Sequence, residues 1–270
     1  MTVLTEAAPA KINLALHVRA RRDDGYHEIE TLFAFLRDGD SVTVEEATED
    51  SFALTGPFGE LLSGEGRNLV LAARDAFLAA HGPLPPLAIT LDKRLPVASG
   101  IGGGSADAAA TLRALGRLQG VGVNDMSDIA LRLGSDVPAC LSGKTAIGAG
   151  RGEQLTPVDG LTGAAILLVN PGVAVSTAAV FGAWDGKDRG LLSDLGPSRN
   201  DLEVPARVIA PVIGDVLAML SVQSGATFVR MSGSGATCFA LFESGAARHD
   251  AAVAVATAHP DWWFLESTLA

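Results

Sequence analysis

The stretch Leu95 to Ala110, L-P-V-A-S-G-I-G-G-G-S-A-D-A-A-A, constrains the fold more than any other part of the chain. Four glycines (Gly100, Gly102, Gly103, Gly104) fall within five positions and run into Ser105 and an alanine-rich segment. Glycine loses the most backbone freedom on folding, so a cluster of this kind is expected where the backbone must turn tightly and come close to something. Ser105 is a good N-cap and Ala106 to Leu118 are strong helix formers, so the spacing predicts a glycine loop opening a helix. Such a helix start presents free N–H groups and the positive end of a dipole, a ready site for phosphate.

Two familiar phosphate loops do not account for it. No Gly-Lys-Ser/Thr follows the glycines, which rules out the Walker A pattern. Gly100, Gly102 and Gly103 do not have the dinucleotide spacing, and Pro96 interrupts the approach from the preceding strand. A flexible loop that happens to precede a helix is an equally good reading of the glycines taken alone.

Composition narrows the class of protein. A chain of 270 residues with 48% hydrophobic and 19% charged residues has ample material for a buried core. No apolar run reaches membrane-spanning length, and Met1 to Pro9 lacks a basic segment followed by an apolar one, so a cytoplasmic protein with no membrane partner is expected. Cys140 and Cys238 sit among apolar neighbours and read as buried thiols in a reducing compartment, without the spacing of a zinc site. The net charge of −11 argues against nucleic acid as a partner and makes local positive charge informative. Only Lys11, Lys93, Lys144 and Lys187 are lysines, so a retained lysine fits either a need for a compact point charge or chance retention at the surface, the second being the better reading of Lys187 and open for Lys144.

Patterning predicts a strand pair over Val3–Ala20 bent at Pro9-Ala10, a turn at Asp23-Asp24-Gly25 and a short strand at Val42–Glu46. Asn68 caps a predicted helix, Leu69–Ala80, ended by Gly82 and Pro83; the strand Leu87–Leu91 then feeds the glycine loop. A helix is expected from Ser127 or Asp128 to Leu133. After Gly150 come a strand at Ala164–Val169, a helix from a Ser176 cap through Trp184, and a loop over Asp185–Pro197. One helix is expected from Pro205 to Leu220, then strands Thr227–Met231 and Thr237–Phe242, a helix over Ala246–Ala258 and a last strand at Trp262–Leu265. Strands and helices mix without strict alternation, which predicts an α+β fold in two subdomains meeting near residue 150.

Several residues carry possible chemistry. Asp136, in Leu133-Gly134-Ser135-Asp136-Val137-Pro138, fits either a general base or a turn-forming aspartate. Lys11, in Pro9-Ala10-Lys11-Ile12-Asn13-Leu14, fits either an anion-positioning strand lysine or a solvated face. Asp24-Gly25-Tyr26-His27 puts the only tyrosine beside a histidine, a pair that can stack on and hydrogen-bond a planar base. Met231-Ser232-Gly233-Ser234-Gly235-Ala236 reads by itself as a hairpin connection, and with the first loop as a second backbone segment lining one cleft.

In combination these motifs resemble the GHMP kinase superfamily. Pro96 to Ala109 is similar to its phosphate loop, and Met231 to Phe239 to its C-terminal glycine motif. Pro9 to Leu14, Asp24 to His27, Gly134 to Pro138, Asn170-Pro171-Gly172, Ser176-Thr177 with Phe181, and Asn200 to Glu203 resemble the branch acting on a cytidyl diphosphate polyol. The resemblance runs in order from about Pro9 to Phe242. It implies a fold with a ribosomal protein S5 domain 2-like N-terminal part, residues 1–150 binding ATP, and a ferredoxin-like C-terminal part, 151–270, with the active site in the cleft between them. The reaction implied is transfer of the γ-phosphoryl group of ATP, with Mg2+, to the 2-hydroxyl of CDP-methylerythritol on the non-mevalonate route to isoprenoid precursors. Carried over, Asp136 takes the hydroxyl proton and Lys11 orients the reacting groups. Asn13 and Thr177 contact the substrate; Tyr26 and Phe181 sandwich the cytosine, and His27 reads its edge. Asn68, Lys93 and Pro96 lie toward the nucleotide, and Gly100, Gly102, Gly103, Gly104 and Ser105 wrap its phosphates. The magnesium is expected with ATP, with no metal ligands of the protein's own. Ala139 and Cys140, where the family commonly has bulky aromatics, and Ala178, where proline is common, depart from the pattern.

Overall fold

One strand, β1 (Val3–Arg21), runs unbroken through Pro9, where the sequence predicts a bend between two strands. The reason is continuity of the inward row. Ala8, Ala10, Ile12, Leu14, Leu16 and Val18 are all buried at period two on both sides of the proline, so a bend would take half of them off the core face. A turn at Asp23-Asp24-Gly25, closed by the Arg22 N–H donating to the Tyr26 carbonyl (2.8 Å), leads into β2 (His27–Glu46), which absorbs the short strand expected at Val42. The computed structural model describes residues 2–62, 68–192, 196 and 198–270; the expected loop at Asp185–Pro197 lies partly outside them.

The chain divides into two compact units, each built from separate segments: Met1–Ala10, Asp38–Val97 and Gly102–Gly143 form the first, and Lys11–Arg37, Ala98–Ile101 and Lys144–Ala270 the second. In the first unit the strand β3 (Ser51–Thr55) precedes α1 (Leu69–His81), β4 (Leu87–Asp92), α2 (Gly103–Gln119), α3 (Ser127–Leu133) and α4 (Val137–Ser142). The later half of β2 pairs antiparallel with β4, setting Val42 opposite Leu91 and Val44 opposite Ile89, and β3 runs parallel to β4. Asn68 caps α1 as expected, its side-chain oxygen accepting from the Val70 N–H (2.8 Å), and Val70, Ala73 and Phe77 form the buried face. Helix α2 packs against α1, α3 and α4. It is buried from Ala106 to Gly116 on most of its circumference, which explains its alanine content: small side chains let neighbouring helices approach closely.

The second unit continues with β5 (Ala146–Ala149), β6 (Gln154–Pro157), β7 (Ala165–Asn170), α5 (Thr177–Gly182), α6 (Glu203–Ile209), α7 (Val212–Ser221), β8 (Ala226–Met231), β9 (Cys238–Phe242), α8 (Gly245–Ala258) and β10 (Trp263–Thr268). The early half of β2 pairs with β5, and β5 with β6. Strands β10-β7-β9-β8 form an antiparallel sheet, and all six residues of β7 are buried, as an apolar central strand requires. Leu167, Val169, Cys238 and Ala240 share one core with Ile213, Val216 and Leu220 of α7 and Ala251, Ala252 and Val255 of α8. Strand order and connections give the ferredoxin-like β-α-β-β-α-β arrangement that the resemblance implies.

The helix expected over Pro205–Leu220 is two helices. Pro211 (φ −56°) cannot supply the backbone N–H that a continuous helix needs, so α6 stops before it and α7 starts after it. Strands β3, β5 and β6 and helix α4 are not picked out by the sequence pattern.

Gly116 tests how tightly α2 is packed. Alanine in a helix interior normally gains about 1 kcal/mol over glycine. A Cβ here would fall 2.9 Å from both the Val121 carbonyl oxygen and Met126 Cε, and the first cannot move aside. Overpacking costs about 1–3 kcal/mol, so Gly116→Ala should lower the melting temperature by a few degrees; a higher one would contradict this packing.

Candidate active site

In the second unit the two glycine segments lie backbone against backbone. A Cβ on Gly100 (φ +78°) would stand 2.6 Å from the Gly235 carbonyl oxygen and 2.7 Å from that of Ser232, and one on Gly233 would stand 2.9 Å from the Gly100 carbonyl oxygen. No other residue type fits that approach. Ser232 Oγ donates to the Gly100 carbonyl (3.0 Å), the Thr237 N–H donates to the Ser99 carbonyl (3.2 Å), and the Lys11 N–H to that of Ile101 (2.9 Å). Asn200, buried, donates through Nδ2 to the carbonyls of Met231 (2.9 Å) and Gly233 (2.8 Å). Its oxygen accepts from the Leu202 N–H (2.9 Å), so one carboxamide holds the hairpin to the start of α6.

Parity along β1 sets the polar face. Ile12, Leu14 and Leu16 point to one side, so Lys11 and Asn13 point to the other. Both are buried, at 3% and 2% exposed, so Lys11 is no solvated strand lysine. Its Nζ donates to Asn13 Oδ1 (3.2 Å) and lies 5.3 Å from the Phe33 ring centroid. Asn13 Nδ2 donates to Thr31 Oγ1 (2.7 Å), which donates onward to the Ala15 carbonyl (2.7 Å), and the Asn13 N–H donates to Ser232 Oγ (3.3 Å). Nothing in the sequence pattern marks Thr31; it lies in an apolar strand and only the pairing of β1 with β2 brings it here.

The same unit holds an aromatic group. His27 stacks in tilted geometry on Phe181 (4.9 Å between centroids) and meets Trp184 edge-on (5.8 Å). His27 Nε2 is buried without a hydrogen-bond partner, and burial followed by the charge of Arg21 holds the imidazole below its ordinary pKa, in the neutral form. The Tyr26 ring is exposed, with the Arg151 guanidinium 4.7 Å over it. Ser176 caps α5, and Thr177 Oγ1 is 2.9 Å from Ser234 Oγ of the glycine hairpin.

The first unit carries Gly102, Gly103, Gly104, Ser105, Asn68, Lys93, Pro96 and Asp136. Gly102, not Ser105, is the N-cap of α2. It takes a left-handed conformation (φ +66°), the helix begins at Gly103, and Ser105 lies within its first turn. No side chain caps this end, so its first N–H groups are available to an anion. Asp136 is the N-cap of α4, its carbonyl accepting from the Cys140 N–H (3.1 Å), and its carboxylate does not bond its own helix start. Pro96 stands half-buried at the head of the loop. Lys93 is buried, its Nζ donating to Asp40 Oδ2 (2.5 Å) and Asp107 Oδ2 (2.8 Å). Burial works to lower its pKa, and the two carboxylates outweigh it and raise it. Burial pushes the Asp107 carboxyl up to about 7 against the pull of Lys93. Neither aspartate is marked by its sequence context, Asp40 lying in a turn-like Asp-Gly-Asp and Asp107 standing alone among alanines.

Models of two related domains match the chain: GHMP kinases N terminal domain at residues 68–144, and GHMP kinases C terminal at residues 185–261. The chain belongs to the GHMP kinase family. As a GHMP kinase it uses ATP. The 4-diphosphocytidyl-2-C-methyl-D-erythritol kinase of Rhizorhabdus wittichii is 53% identical over 277 residues, covering 98% of this chain and 94% of that protein. The protein of the same name from Sphingopyxis alaskensis is 47% identical over 98% of each chain. A crystal structure of 4-(cytidine 5'-diphospho)-2C-methyl-D-erythritol kinase superposes with a TM-score of 0.83 at 36% identity, over 98% of this GHMP kinase and 99% of that chain. No helix among the described residues is long and apolar enough to cross a membrane.

The raised carboxyl of Asp107 gives a pH signature. The folded state holds that proton more tightly than an unfolded chain, whose aspartates titrate near 4 (~3.9). The stability it contributes is therefore fully present below about pH 4 and is lost as pH rises through about 7. Urea midpoints of the wild type and Asp107→Asn between pH 5 and 8 should diverge, the variant gaining on the wild type as pH rises; parallel curves would contradict this.

Proposed function

We propose that this GHMP kinase transfers the γ-phosphoryl group of ATP to the 2-hydroxyl of 4-diphosphocytidyl-2-C-methyl-D-erythritol, a step of the non-mevalonate route to isoprenoid precursors. The observation that carries the reading to this acceptor is the seat formed by His27 and Phe181. A neutral imidazole with one buried, unpartnered nitrogen beside a phenyl face suits a planar base with a hydrogen-bonding edge. Tyr26, in the same turn, supplies a second aromatic surface. The names of the relatives point to the same substrate.

Phosphoryl transfer needs positioning and charge stabilisation more than covalent help. In this proposal the N–H groups at the start of α2, from Gly103 to Ser105, hold the phosphates, with Gly100 and Gly102 shaping the loop. Lys11, fixed by Asn13 and Phe33, places a positive charge at the transferring group. Asp136 takes the proton of the acceptor hydroxyl, and Asn13 and Thr177 orient the polyol. Asn68, Lys93 and Pro96 belong to the nucleotide half, the first two as supports, since their side chains are already engaged inside the fold. The division into an ATP-binding part, 1–150, and a C-terminal part, 151–270, is part of the proposal, as is a cytoplasmic location.

Magnesium is proposed to enter on the triphosphate. Among the described residues no group of three His, Cys, Asp or Glu side chains could hold a metal ion.

Coupled ADP release, measured with and without the cytidyl substrate, tests the reading. Release that depends on the substrate is expected; release driven instead by homoserine or mevalonate would overturn it. Asp136→Asn should lower kcat by about 10²–10⁴-fold while ATP affinity changes little. Equal loss of both would make Asp136 structural. In His27→Ala the KM for the cytidyl substrate should rise about tenfold or more, the equivalent of losing one good hydrogen bond to the base, with that for ATP unmoved. A selective ATP defect would remove His27 from the base seat.

A further inference from the structure

The buried group Asp40–Lys93–Asp107 is not explained by stability. Desolvating three charges costs several kcal/mol per ion, and replacing such groups by apolar side chains is often neutral or favourable. Its connections say what it does. Asp40 Oδ1 accepts from the backbone N–H groups of Arg94 (2.5 Å) and Leu95 (2.8 Å), the two residues that lead into Pro96 and the glycine loop. Asp40 Oδ2 accepts from Lys93 Nζ, and Lys93 Nζ reaches Asp107 Oδ2, one turn into α2. Gly103, the first residue of that helix, sits directly over the ammonium: a Cβ there would stand 2.9 Å from Lys93 Nζ. All three side chains are at most 3% exposed. The chain segment before the loop and the segment after it are thus fastened to one ammonium.

We propose that Asp40, Lys93 and Asp107 form a clamp that fixes both ends of the glycine loop, so that Lys93 is a positioning residue for ATP and does not itself contact the nucleotide. The inference rests on the kinase reading above for its function, though not for its geometry. A phosphate cradle made of backbone N–H groups has no side chains of its own to tune, so its shape must be imposed from its two ends. The helix start at Gly103 carries partial positive charge, and Asp107, one turn on, ties that charge to the Lys93–Asp40 pair. One oxygen of Asp107 is buried without a partner, a cost consistent with a residue retained for placement.

The test separates contact, clamp and mere packing. Kinetics and equilibrium ATP binding by calorimetry are compared for the wild type, Lys93→Met, Asp40→Asn and the double variant. A clamp predicts that each single change raises the KM and Kd for ATP about tenfold, as a small misplacement of the binding backbone does. It also predicts that the KM for the cytidyl substrate stays within about twofold and that the double variant is no worse than either single one. A direct contact instead predicts a defect in Lys93→Met with normal ATP affinity in Asp40→Asn, which would overturn the proposal. Loss of thermal stability with both KM values unchanged, or raised together, would also overturn it. Asp107→Ala, which leaves the Lys93–Asp40 pair intact, carries the same comparison if Lys93→Met does not fold. A wild type that binds ATP without phosphorylating the cytidyl substrate would remove the kinase reading, and the calorimetric comparison would still decide the clamp.

Discussion

The absence of a side chain at Gly100 is the condition on which the organisation of the second unit rests. Its backbone lies so close to the carbonyls of Ser232 and Gly235 that a single carbon would collide with both. Around that approach, Ser232 bonds the Gly100 carbonyl and the Asn13 N–H, Asn200 holds two carbonyls of the hairpin, and Thr177 meets Ser234. Strand β1, the glycine loop, the β8–β9 hairpin and α5 are thereby registered by short polar contacts, most of them to main-chain atoms. Main-chain contacts vary less with side-chain rotamers than side-chain pairs do, which suits a site that must hold reacting groups to fractions of an ångström.

Strand geometry divides the labour on β1. Alternation sends Ile12, Leu14 and Leu16 into the core and Lys11 and Asn13 to the opposite face, so one segment anchors the fold and presents its polar residues together. Burial then sharpens Lys11. With Asn13 Oδ1 as a partner and Phe33 beneath it, the ammonium is held in one place, which a solvent-exposed lysine on a four-carbon stem is not. The neutral, half-buried His27 follows the same logic, since its burial keeps it uncharged and leaves one nitrogen without a hydrogen-bond partner.

What could be read in the sequence was local. The caps at Asn68 and Ser176, the helix starting near Ala246 and the strands β4, β7, β8 and β9 follow from residue preferences within a few positions. Three misreadings share a cause, a local signal overruled by its surroundings. Pro9 signals a bend, but the buried row of β1 carries the strand through it. Ser105 is a better cap than glycine, but the left-handed Gly102 starts the helix three residues earlier. The run from Pro205 to Leu220 keeps an apolar character, but Pro211 divides it. Motif order along the chain brought the glycine loops, Lys11, the Tyr26-His27 turn and Asp136 into one reading. Thr31, Asp40 and Asp107 were not legible, because each matters only through a partner 14 to 53 residues away.

The most direct measurement of the account is the product itself. Phosphorus NMR of the intact protein with MgATP and the cytidyl diphosphate substrate should show a new phosphomonoester resonance growing in step with ADP, with the diphosphate of the substrate intact and the ester placed on the tertiary 2-carbon by its carbon–phosphorus couplings. Orthophosphate as the only new signal, or an ester on any other hydroxyl, would contradict it.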